Sequence, residues 1–338
     1  MVQRGAAIES LMRKHFFPVL LLPVVIVSCT QEPRQPPPSE TKPERVINVP
    51  SFNADSAYAF TKAQVDFGPR VPATKAHANC ADYIITQLSK YADSVIVQKA
   101  MLTTFDAKKI ESKNIIAQFS PEQKRRVLLC AHWDTRPFSD QDSVRKDEPG
   151  DGASDGASGV AVLLEIARQM KQIKPAIGID IIMLDLEDYG QPENSPYEKM
   201  EDSYALGTQY WAKNPHVPGY YAEYGILLDM VGAKNAAFAR EKYSLQYASS
   251  VVTKIWEAAN KIGYSDYFPF RDGGFVTDDH YYINTIANIP TVDIIQFDSS
   301  TRSGFGSYWH THTDNMNIID ANTLKAVGQT LLQVIYSE

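Results

Sequence analysis

Near the end of the chain, residues 305–315 read FGSYWHTHTDN and crowd Trp309, His310, His312 and Asp314 into one Gly/Ser/Thr-flanked segment. Imidazoles and carboxylates without thiolates suit a zinc ion whose coordination shell is left partly open. Such an ion is a Lewis acid that polarises a carbonyl. One loop cannot complete a shell, so ligands from elsewhere are required. Candidates occur at intervals along the chain: His132 and Asp134 in AHWDT, Asp155 in GASDGASG, the pair Glu187-Asp188 in LEDYG, and Asp229 in LLDMVG.

Each candidate also has a plainer reading. Asp155 sits where a helix N-cap would stand. Asp229 could be a hydrogen-bonded core carboxylate, and His132 a satisfied histidine at a strand end. His312 and Asp314 are read as turn residues, because consecutive loop side chains rarely all point inward. The joint pattern is more specific than any member. The acidic pair adds a division of labour: at the end of a strand both residues can reach one site, one binding metal and the other acting as base. Asp134, Ser154 and Thr311 are candidates to orient the ligands.

The elements that must position these residues alternate. Helical spacing of apolar residues marks 54–67 and 75–91, then 158–170, 203–212, 245–263 and 322–336. Apolar runs read as strands at 95–102, 114–119, 127–132, 179–188, 224–232 and 291–297. This order predicts an α/β fold in a single domain, with a mixed, mostly parallel central sheet flanked by helices on both faces. The central runs are continuously apolar, as expected of parallel strands covered on both sides. The candidates fall at strand ends, where open α/β sheets bind their ligands. The loop 189–201, with Pro192 and Pro196, reads either as an ordered rim or as a mobile lid.

With 338 residues, 44% hydrophobic and 22% charged, the chain can bury a sizeable core. Its net charge of −7, without a dense Lys/Arg block in the body, argues against a nucleic-acid partner. Residues 1–28 read as a signal peptide whose true start could be Met12: a basic n-region at Arg13–His15, then an apolar run from Phe16 to Val27. Cys29 directly follows and resembles the lipidated cysteine of a bacterial lipobox. Residues 29–45 are rich in Pro and charge and read as a tether. The folded domain is expected over 46–338. Export with lipid anchoring in the periplasm, on the inner or outer membrane, follows as the expected location. Cys80 and Cys130 could pair there, although Cys130 lies in an apolar run and reads as a buried thiol.

The order AHWDT, GASDGASG, LEDYG, LLDMVGA and a late WHT resembles the M28-type zinc aminopeptidase fold. Within it, LLDMVGA, VTDDHYYI and FGSYWHT resemble the animal-type glutaminyl cyclases, over roughly residues 55–336. With the lipobox, the whole resembles the Bacteroidetes-type members. The resemblance implies a zinc-dependent glutaminyl-peptide cyclotransferase acting on peptides or proteins with N-terminal Gln. It implies one Zn2+ per chain on Asp155, Asp188 and His310. Glu187 would be the general acid/base, Asp229 and Asp278 would complete its hydrogen-bond network, and Phe305 and Trp309 would wall the substrate pocket. His132 would be a non-ligand, or the ligand of a second metal in the aminopeptidases. The chain departs from the animal enzymes in three places: Glu-Asp replaces their Glu-Glu pair, GQPENSP replaces a segment with a pocket Trp, and Thr277 replaces a Gln.

Two other readings stand beside this one. All five positions of a two-zinc aminopeptidase are occupied, by His132, Asp155, Asp188, Asp229 and His310. A tethered binding protein on a dead scaffold would have lost an acid or a ligand, and none is lost.

Overall fold

Arg126–His132 (β3), Gly178–Leu184 (β4) and Tyr224–Asp229 (β5) are buried along their whole length. Together with Thr291–Ile295 (β6) they pair in parallel, in the order β4-β3-β5-β6. Ser94–Thr103 (β1) and Lys109–Phe119 (β2) extend the sheet antiparallel from β4, giving six strands in all. The computed structural model describes Pro18 and residues 48–338. Met12, Cys29 and the signal and tether readings lie outside the described residues. Residues Ile47–Glu338 form one compact unit.

Alternation along the strands divides the core. On one face Leu129, Ile181, Ile226 and Ile294 pack beneath Ala54–Val65 (α1), Lys75–Tyr91 (α2), Ala157–Gln172 (α3), Lys242–Lys261 (α5) and Ala321–Tyr336 (α7). On the other, Leu128, Cys130, Ile182 and Leu227 pack against Trp211 of Leu206–Lys213 (α4) and Ile283, which follows Asp279–Tyr282 (α6). Helices therefore cover both faces, unevenly. Cys80 belongs to the first core and Cys130 to the second, so the sheet separates them; both are free thiols.

β4 ends earlier than its apolar pattern predicts. Asp185 stops the strand by turning its carboxylate to backbone: it accepts the N–H groups of Lys113 at 2.7 Å and Leu186 at 2.9 Å. The acidic pair Glu187-Asp188 therefore lies in the loop after the strand, free of strand alternation. The short α6 and the π-helical turn after it, Ile283–Ala287, have no counterpart in the sequence reading.

Candidate active site

The chain leaves β3 for β4 on one side and returns to β5 on the other, so the sheet's switch point lies between β3 and β5. His132 closes β3 and Asp229 closes β5. His132 Nε2 is 3.1 Å from Asp155 Oδ1 and 3.1 Å from Asp229 Oδ1. Asp155 is not a helix cap: Gly156 holds the N-cap position of α3, with φ of 90°. A Cβ at Gly156 would come within 2.9 Å of His132 Cε1, so glycine is what allows Asp155 and His132 to meet.

The terminal segment closes the group. His310 Nε2 lies 3.3 Å from Asp188 Oδ1 and 3.9 Å from Asp155 Oδ2. One donor atom from each of Asp155, Asp188 and His310 falls within a 4.8 Å cluster, and all three residues are buried. Burial raises the Asp188 pKa first, and the Asp155 charge adds to it, while His310 opposes. Two carboxylates crowded in a dry site are best balanced by a cation, so these residues fit a metal ion. Asp188 enters this cluster although it is a residue type shorter than glutamate. Leu186, Met230 and His310 take the left-handed φ values 56°, 47° and 54°, each at or beside a site residue. Non-glycine residues hold such conformations where surrounding contacts impose them.

The orienting groups are only partly those anticipated. Asp134 holds the acidic pair's backbone: its two carboxylate oxygens accept the N–H groups of Glu187 at 3.1 Å and Asp188 at 3.2 Å. Ser154 and Thr311 turn instead to Tyr308, through its hydroxyl and its carbonyl. Asp314 corrects the reading of a turn residue. It is buried and accepts the N–H groups of Ser154 at 2.7 Å and Asp155 at 3.0 Å, fixing the segment that carries Asp155. His312 does stay in the turn, with Nδ1 3.1 Å from Asp142 Oδ2. Asp140 and Arg136 were missed. Asp140 Oδ1 is 2.9 Å from His310 Nδ1, and the Arg136 backbone N–H donates to Asp188 Oδ2 at 3.0 Å. The Arg and Asp four apart after AHWDT were the available signal.

Beside the cluster lies a cavity of about 320 Å³, lined among others by Glu187, Asp229, Asp278, Phe305 and Trp309. The Trp309 ring stacks on His310 with centroids 3.8 Å apart, and Phe305 packs on Trp309 at 4.8 Å. Tyr204, also missed, lines the cavity; its ring lies so close over Gly190 that a Cβ there would be 2.2 Å away. The loop before it closes on itself: Gln191 accepts the Met200 N–H at 2.7 Å and donates to the Glu198 carbonyl at 3.0 Å. Burial drives the Glu187 pKa well above the usual carboxylate range; His132 opposes, and the charges of Asp278 and Asp188 add to the rise. Asp278 is pushed up to about 7, by burial and then by Asp229. Its Oδ2 is buried without a hydrogen-bond partner among the described residues. Behind Asp278, His280 Nε2 is 3.0 Å from Glu241 Oε2.

The sequence pattern of peptidase family M28 matches residues 114–335. The chain belongs to that family. The match encloses every candidate from His132 to His310, and solved structures agree with it. The Bacteroides thetaiotaomicron glutaminyl cyclase bound to N-acetylhistamine is 51% identical, with a TM-score of 0.84 over 86% of this chain and 100% of that one. A Zn-dependent exopeptidase from Parabacteroides distasonis is 55% identical, with a TM-score of 0.85 over 86% of this chain and 100% of that one. The glutaminyl-peptide cyclotransferase of Bos taurus is 27% identical over 250 residues, which span 67% of this M28 chain and 65% of the bovine one.

Proposed function

We propose that this chain is a zinc-dependent glutaminyl-peptide cyclotransferase, converting N-terminal glutamine of peptides to pyroglutamate and ammonia. One observation carries the reading. A small aromatic-walled cavity joins the Asp155–Asp188–His310 cluster to two protonatable carboxyl groups, Glu187 and Asp278. The glutaminyl cyclase and cyclotransferase relatives support the same reaction, and the zinc-dependent exopeptidase supports the metal.

Zinc held by Asp155, Asp188 and His310 would supply Lewis-acid polarisation of the substrate's γ-amide carbonyl. The nucleophile is the substrate's own α-amine, so ring closure is intramolecular and gains from orientation. Phe305 and Trp309 press on the flat amide and its methylenes. Glu187 takes a proton from the attacking amine and gives it to the departing amide nitrogen. A raised pKa suits this shuttle, because the group must both accept and release a proton near neutrality. Asp278 lines the same cavity and would face the substrate amine. One C–N bond forms, one breaks, and ammonia leaves with the proton that Glu187 returns.

One zinc per chain is part of the proposal. The competing reading is a two-zinc aminopeptidase, and the His132–Asp155–Asp229 set is its supporting observation. The two readings make different products. Gln-Xaa peptides should lose the mass of ammonia with the chain uncut, while Leu-Xaa, Ala-Xaa and N-acetylated Gln peptides should stay intact. Release of free Leu or Ala at a matching rate, with two equally tight zincs, would establish the aminopeptidase instead. Lipid anchoring through Cys29 in the periplasm is proposed on the sequence alone. Fatty-acid labelling that persists in Cys29→Ala would exclude it.

A further inference from the structure

The geometry points to a recognition surface for the residue that follows the N-terminal glutamine: an aromatic shelf, led by Phe275, that takes an apolar or aromatic side chain. The inference rests on the cyclase reading and adds a preference that the reaction itself does not require.

Phe275 lines the mouth of the cavity and is 60% exposed. Its ring leans on Tyr243 with centroids 4.8 Å apart; Tyr243 in turn lies 4.8 Å from Tyr281 and 6.3 Å from Tyr247. Aromatic surface thus runs without a break from the cavity outwards. A single exposed apolar residue is ordinary, but a contiguous aromatic set opening from a binding cavity marks a contact surface.

The shelf is also rigid. Its segment is tied at both ends to the start of α5. The Gly273 N–H donates to the Arg240 carbonyl at 2.8 Å, and the Lys242 N–H to the Gly274 carbonyl at 2.9 Å. The Val276 N–H donates to the buried Glu241 carboxylate at 3.0 Å. Phe275 therefore stands in water on an anchored backbone, so little ordering entropy is lost when a ligand covers it.

Reach fixes the occupant. An extended residue spans roughly 3.5 Å, so with glutamine seated in the cavity the next side chain arrives at the mouth. An aromatic side chain there gains both buried area and ring-to-ring contact. The Lys242 ammonium lies 5.3 Å from the Phe275 ring centre, which leaves an acidic residue as the competing occupant.

The test compares kcat/KM for glutaminamide, Gln-Ala-Ala-amide, Gln-Phe-Ala-amide and Gln-Asp-Ala-amide on the zinc-loaded enzyme. We expect the Phe peptide to exceed the Ala peptide about tenfold, mainly through KM, as one good apolar contact allows. Phe275→Ala should reduce that ratio to about twofold or less, and Phe275→Leu should leave an intermediate value, as partial retention of apolar area predicts. Both substrates are measured on the same preparation, so partial misfolding cancels from the ratio. Equal rates for the two peptides, an undiminished ratio in Phe275→Ala, or preference for the Asp peptide would each overturn the shelf while leaving the cyclase intact. Failure to cyclise glutaminamide itself would overturn the cyclase reading, and the shelf with it.

Discussion

His310 Nδ1 lies 2.9 Å from Asp140 Oδ1, across 170 residues of chain. Arg136 grips the same carboxylate through Nε and Nη2, both at 3.0 Å, while its backbone N–H holds Asp188. Two of the three proposed zinc ligands are thus aimed by one Asp–Arg pair. Burial opposes ionisation of Asp140, but the hydrogen bonds from His310 and Arg136 outweigh it and hold the carboxyl well below its usual range. An ionised partner on Nδ1 fixes the imidazole with Nε2 bare towards the metal, the usual arrangement at zinc. Asp140→Asn should therefore weaken zinc about 10- to 100-fold, read by chelator competition, with the fold retained. Unchanged zinc affinity would remove Asp140 from the site.

Glu187→Gln keeps the shape of the side chain and removes its proton acceptor. Turnover of Gln peptides should fall by ~10²-fold or more, with zinc content unchanged. The contrast is Asp188→Ala, which should lose most of the zinc because a three-residue shell cannot compensate. If Glu187→Gln sheds zinc and Asp188→Ala keeps it, the two roles have been assigned in reverse.

The contrast between Asp134 and Asp140 shows which parts of the site can be read from sequence. The sheet was legible because strands buried on both faces must be apolar throughout, and part of the candidate cluster was legible because His132 and Asp229 close two of those strands. Asp134 stood in the same short motif as His132. Asp140 offered only the arginine four residues before it, and its histidine partner lies 170 residues away; Asp314 stood in a loop where nothing local separates a buried acceptor from a solvated turn, with a partner 160 residues away. The early end of β4 was hidden for a related reason. Asp185 replaces ladder hydrogen bonds with its own side chain, which periodicity does not register.

Asp278 carries a pH signature. Its pKa is raised from 3.8 to about 7, by burial and then by Asp229. A raised pKa means that the folded state holds the proton more tightly than the unfolded chain. The resulting stability is fully present below about 3.8, and is lost as pH rises towards about 7. The loss has an upper slope of about 1.4 kcal/mol per pH unit. Asp278→Asn cannot titrate, so its stability relative to wild type should improve between these values and level off above them. Urea melts at three pH values would check this; a pH-independent difference would contradict it.

Glu241 is the opposite case, and the more consequential one. One buried carboxylate serves two segments that carry the site. Oε1 accepts the Tyr243 N–H at 2.8 Å and the Val276 N–H at 3.0 Å; Oε2 accepts the Ser244 N–H at 2.6 Å and faces His280 Nε2 at 3.0 Å. It therefore caps α5, anchors the Phe275 segment and holds the histidine two residues beyond Asp278. Burial opposes its charge, but His280 and the backbone donors prevail, and its pKa is lowered. That sign places its stabilisation above about pH 4.5 and removes it as the pH falls through the lowered folded value. Glu241→Ala would lose the cap, about 1 kcal/mol, and strand buried donors at about 1–3 kcal/mol each, so a loss of several kcal/mol is expected. Glu241→Gln keeps one acceptor oxygen but turns an amide N–H₂ towards groups that are themselves donors, and should fall between wild type and Ala. Because glutamine cannot ionise, the gap between wild type and Glu241→Gln should narrow in acid, the reverse of the Asp278 series. Urea melts at neutral pH and near pH 3.5 (about one unit below the ordinary carboxylate value) decide it: a gap that stays constant or widens in acid would mean that the carboxylate's charge does not hold these segments together.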